Sequence, residues 1–93
     1  MATFLMLGKY STEGIKEAGA GHTKQVVGMI EKCGGKMDVI YALLGGYDLA
    51  LIVEFAGVQE AMKASFMVGK AMGVSFSTHP AVALEEFDQM IGR

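Results

Sequence analysis

His79 and Glu54 are the residues of this chain with the clearest capacity for acid–base chemistry. An imidazole titrates near neutrality, and a carboxylate close by can orient it or share its proton. Lys9, Tyr41, Tyr47 and Asp48 add an ammonium, two phenols and a second carboxylate, the kinds of group that fix a small ligand in an otherwise apolar cavity. Each also has a plainer reading. A histidine on an edge strand is commonly just solvated, and Tyr47-Asp48 directly after Gly45-Gly46 is ordinary turn chemistry. Cys33, the one cysteine, has no CxxC or His/Cys neighbour at ligand spacing, so neither a metal nor another cofactor is expected. Its place on a helical stripe makes it a small hydrophobe. His22, at a helix start, is expected on the surface.

The elements that must position these groups follow from the patterning. Residues 3–10, "TFLMLGKY", read as a strand. Ser11, Glu13 and Gly14 can open a short helical turn, which the glycine-rich stretch 18–21 interrupts. Val26, Val27, Met29, Ile30 and Cys33 form one stripe and predict a helix over 22–33, closed by Gly34-Gly35. Residues 36–44 and 48–55 are strands around the Gly45-Gly46 turn, an antiparallel hairpin. A second helix spans 58–72, with Val58, Ala61, Met62, Ser65, Val68 and Met72 as its buried side. A last strand covers 74–83 and a terminal helix 84–91. The order is βαββαβ plus a tail helix within one domain, 1–93.

Right-handed connections turn that order into a ferredoxin-like α+β fold, a four-stranded antiparallel sheet of order 4-1-3-2 with both main helices on one face. Pro80 then lies on an edge strand, where proline is tolerated. A hairpin loop of two or four residues sets the parity of the faces. Phe4, Met6, Ile40, Ala42, Leu49, Leu51, Val53, Phe55, Val74 and Phe76 face the helices. Leu5, Leu7, Lys9, Met37, Val39, Tyr41, Ala50, Ile52, Glu54, Ser75, Ser77 and His79 face the other way. On this reading Glu54 and His79 flank Leu5 from either side, two strand spacings or about 9.6 Å apart at Cα. Lys9 lies near the start of the third strand, in reach of Asp48.

The helix-free face is apolar at its centre, and apolar patches of several hundred Å2 are unusual on monomers. A 93-residue chain also buries only about 60–65% of its unfolded surface and gains from a partner. With one cysteine no internal disulfide is available, so a homodimer or higher homo-oligomer, sheet against sheet, is expected. The net charge of −2, with scattered Lys and Arg, argues against nucleic acid. The longest apolar run is far short of a membrane span, and the first residues do not resemble a secretion signal. A cytoplasmic location is expected.

"GGYDLALIVEF" at 45–55, with "GGK" at 34–36, "KYSTEG" at 9–14 and Tyr41, resembles the GYD domain family over residues 3–87. The resemblance implies the dimeric α/β barrel, an architecture shared by monooxygenases, lactone isomerases and the effector-binding domains of transcriptional regulators. Two places depart from the family pattern: Gly8 stands where a bulky apolar residue is usual, and "SFSTHP" replaces a polar run in the last strand. Three functional readings follow. One is a small-molecule-binding or regulatory module using Lys9, Tyr41, Tyr47, Asp48, Glu54 and His79. Another is a cofactor-independent monooxygenase or isomerase with His79 as catalytic base. The third is an assembly protein without a ligand.

Overall fold

The computed structural model describes residues 1–92, and of Ala20 the backbone alone. Its strands are β1 (Ala2–Tyr10), β2 (Lys36–Ala42), β3 (Leu49–Phe55) and β4 (Val74–Ala81), and its helices are α1 (Thr12–Lys16), α2 (Ala20–Lys32), α3 (Val58–Met72) and α4 (Leu84–Met90). The strands form one antiparallel sheet in the order β2-β3-β1-β4, the predicted 4-1-3-2 read from the opposite edge. The short turn foreseen at Ser11 is α1, whose N-cap hydroxyl accepts the Gly14 amide at 2.9 Å.

Alternation along the strands decides which side chains meet the helices. Phe4 and Met6 on β1, Leu51, Val53 and Phe55 on β3, and Val74 on β4 are fully buried against Val26 and Ile30 of α2 and Ala61, Ala64 and Val68 of α3. The Phe4 and Phe55 rings meet edge to face at 5.8 Å, a geometry that adds about 0.5–1.5 kcal/mol beyond area burial. Gly8 lies on this same side, and the space of its missing side chain is taken by its cross-strand neighbour Phe76, whose ring would stand 2.8 Å from an added Cβ.

Two packing expectations need correction. The contact row of α3 is Ala61-Ala64-Val68, small enough to let the helix lie close on the sheet. Val58 and Met62 belong to the adjacent row and are exposed. Met37 was expected on the helix-free face, yet it packs against the core. Pairing runs from Met37↔Val53 to Val39↔Ile52, so Asp38 is an extra residue, a β-bulge that flips the parity of everything before it. Lys36 therefore shares the open face, opposite Glu54.

The hairpin is looser at its tip than two abutting strands would make it. The Leu43 amide donates to the Asp48 carbonyl at 2.8 Å, leaving the four-residue loop 44–47, with Leu44 wholly exposed. Gly45 has φ +137°, a conformation that L side chains rarely adopt, and Gly46 has no positive φ and no neighbour within 4 Å of an added Cβ. The two glycines are therefore unequal. Gly45→Val is expected to cost about 1–3 kcal/mol through backbone strain, whereas Gly46→Val should stay within about 0.5 kcal/mol of the parent. Thermal melts of the two variants check this, and equal midpoints would refute the assignment.

α4 follows β4 after Val82 and Ala83, with Ala83 in extended conformation, and none of its residues is buried. The chain is accordingly long, 48 × 28 × 18 Å, with a Cα radius of gyration of 13.8 Å against about 12 Å for a compact chain of this length.

Candidate functional site

The helix-free face is arranged in rows fixed by the pairing register. Val39, Ile52, Leu5 and His79 form one row, and Tyr41, Ala50, Leu7 and Ser77 the next. Lys36, Glu54, Thr3 and Ala81 lie toward one end, while Lys9 and Ser75 lie toward the other. Leu5, Leu7, Val39 and Ile52 are only half-buried. The centre is thus apolar, and the polar groups stand around it.

The register also corrects the expected acid–base pair. His79 is opposite Leu5, but the residue on Leu5's other flank is Ile52, and Glu54 lies opposite Thr3. Two strand spacings combined with a two-residue offset put the Cα atoms about 12 Å apart. The nearer partner of His79 is Ser77, whose hydroxyl is 2.8 Å from Nε2. Tyr41 and His79 occupy opposite edge strands, three spacings or at least about 14 Å apart, and Lys9 and Glu54 lie about 20 Å apart along the strands. Within one copy these residues make a rim rather than a cluster.

Asp48 belongs to the frame. Its carboxylate accepts the Tyr10 amide at 2.8 Å, and its own amide donates to the Gly8 carbonyl at 2.8 Å. Both ends of this residue thereby clasp the last turn of β1. Lys9, expected to pair with Asp48, donates instead to the Gly46 carbonyl at 3.3 Å. Tyr47 is exposed on the loop. Burial, and then the negative charge of Asp48, push the Tyr10 phenol above its ordinary pKa.

His22, expected on the surface, is buried, with neither ring nitrogen hydrogen-bonded and its ring 5.5 Å from that of Tyr10. α2 begins earlier than the apolar stripe suggested, at Ala20, which turns His22 inward. A feature that pattern reading did not reveal is a groove of about 680 Å3 between α3 and β4, on the helix side of the sheet. At its floor the Ser65 hydroxyl bridges the Ala61 carbonyl and the Thr78 hydroxyl, each at 2.7 Å. The signal for it was present in the second apolar row of α3, Val58, Met62 and Phe66. Among the described residues there is no group of three acidic, His or Cys side chains able to hold a metal ion, and no helix long and apolar enough to cross a membrane.

The family model described as the GYD domain matches residues 4–91. No curated protein matches the chain.

Proposed function

Because the chain belongs to the GYD domain family, we propose that it is a small-molecule-binding module whose copies pack sheet to sheet, as in the dimeric α/β barrel. The observation that carries this reading is the open face itself. Its centre of Leu5, Leu7, Val39, Ala50 and Ile52 is ringed by Lys9, Tyr41, Glu54, Ser75, Ser77 and His79, the apolar core and polar rim of a protein interface. Four strands of about seven residues span roughly 20 Å by 20 Å. With side-chain relief, two such faces approach the roughly 1,600 Å2 of total burial typical of stable pairs.

Stacking two copies sets the rim of one against the rim of the other, so polar groups too far apart within one copy converge across the seam. Lys9, Tyr41, Glu54 and His79 are the ligand contacts in this reading, with Tyr47 at the margin and Asp48 holding the loop. A free, half-buried Cys33 suits a reducing cytoplasmic setting. The enzyme reading, with His79 as base, has less support, because the position flanking Leu5 that needed a carboxylate is held by Ile52.

Native mass spectrometry of protein purified from cells tests the proposal. The expected result is an oligomer retaining a small mass, which Tyr41→Phe or Glu54→Gln releases without unfolding the chain. A monomer at micromolar concentration, or an oligomer whose retained mass is indifferent to both substitutions, would reject it.

A further inference from the structure

Away from the open face, the molecule carries two further exposed apolar surfaces. The first is the groove between α3 and β4. Its α3 wall is Val58, Met62 and Phe66, and Phe76 and Pro80 close it on the strand side. Phe66 is 76% exposed, unusual for a ring at the mouth of an apolar groove. The second is α4 with its C-cap Ile91, where Leu84, Phe87 and Ile91 recur at helical spacing with Met90 beside them, all exposed, Leu84 at 72%. An apolar stripe on a helix usually packs against another apolar surface.

Charge matches as well as apolarity. Leu84–Met90 carries Glu85, Glu86 and Asp88 and no basic residue. The groove is bordered by Lys70, and Lys63 lies on the same helix. In length α4 spans about 10 Å, which the groove of about 680 Å3 accommodates. The extended backbone at Ala83 carries α4 onward from β4, so the helix is already presented as an arm.

We propose that α4 of one copy docks in the α3/β4 groove of a second copy, its apolar stripe against Met62 and Phe66 and its carboxylates against Lys63 and Lys70. The exchange is reciprocal in a two-fold pair. It uses a surface on the opposite side of the sheet from the open face, and so does not depend on the sheet-to-sheet reading.

Carbodiimide coupling joins a lysine to a carboxylate only at contact distance and needs no substitution in the chain. Unlabelled and 15N-labelled protein are unfolded together, refolded as a mixture, coupled and digested. The expected products are peptides joining Lys63 or Lys70 to Glu85, Glu86 or Asp88 with one labelled and one unlabelled partner. Phe66→Glu should lower their yield at least tenfold. Random pairing of copies also yields same-label products, so joined peptides exclusively of the same label would mean that each arm folds onto its own groove and would overturn the proposal. So would the absence of such peptides, the result expected if a small apolar molecule or nothing fills the groove, or a yield unchanged by Phe66→Glu. Light scattering on the same samples separates the two interfaces. A wild-type oligomer without mixed peptides refutes the arm exchange alone, and mixed peptides from an Ile52→Asp protein of unchanged mass refute the sheet contact alone.

Discussion

Ile52→Asp is expected to abolish sheet-to-sheet assembly. Ile52 lies on β3 between Val39 and Leu5, at the middle of the open face, where a carboxylate would have no cationic partner once a second sheet covered it. An unpaired buried charge costs about 3–5 kcal/mol, and a two-fold interface contains the substitution twice. The association constant of the sheet contact should therefore fall by roughly 10^4-fold or more, leaving at micromolar concentration a smaller assembly held by the α4 arms alone, or an unfolded chain. Lys36→Asp, at the exposed end of the same face, supplies the control and should leave the oligomer intact. Light scattering and sedimentation read both variants, and an Ile52→Asp protein of unchanged mass would show that the copies meet elsewhere.

The second large effect is expected at Asp48. Asp48→Ala removes the carboxylate that accepts the Tyr10 amide and leaves a partly buried donor unpaired at the end of β1. A hydrogen bond to a charged acceptor contributes about 1.5–3 kcal/mol, which in a chain of this size lowers the melting temperature by roughly 6–24 °C. Asp48→Asn keeps an oxygen acceptor and should lose less. The charge has a second consequence through Tyr10, whose phenol is raised by burial and, secondarily, by Asp48. A raised folded pKa contributes stability that is complete below the unfolded value near 10 and is lost as pH climbs through the folded value. In Asp48→Asn only burial still raises the phenol, so the alkaline loss should shrink. An Asp48→Ala protein melting with the parent would show that the clasp carries no stability.

The periodic elements were legible because hydrophobic spacing is set by the core they share. Phe4, Met6, Leu51, Val53 and Phe55 alternate as a sheet floor must, and Val26 and Ile30 repeat as a helix stripe must. The even hairpin loop was legible as a parity argument, since Tyr41 does face Ala50. The candidate site was read less well, for physical reasons. Asp38 bulges out of the ladder without any change in apolar pattern, so the slip that sends Met37 to the core could not be counted. Glu54 and His79 were placed on the right strands, but a two-residue offset along β1 decides whether they flank one neighbour. Sequence displays Lys9 as a charged partner for Asp48, whereas its partner is the Tyr10 backbone amide, a group that every residue but proline possesses. The inward turn of His22 depends on where α2 starts, and glycine-rich chain conceals helix starts.

The Asp38 bulge has a bearing on how the protein avoids association of the wrong kind. β2 is an outermost strand, and a regular outermost strand offers a row of free amides and carbonyls on which a strand from any other chain can crystallise into a continuous ribbon. The extra residue breaks that row and adds twist, and Lys36 and Asp38 place opposite charges along the broken stretch. On this edge, extension of the ladder by backbone pairing is discouraged, and contacts along it are left to side chains, which can select a partner, rather than to backbone, which cannot.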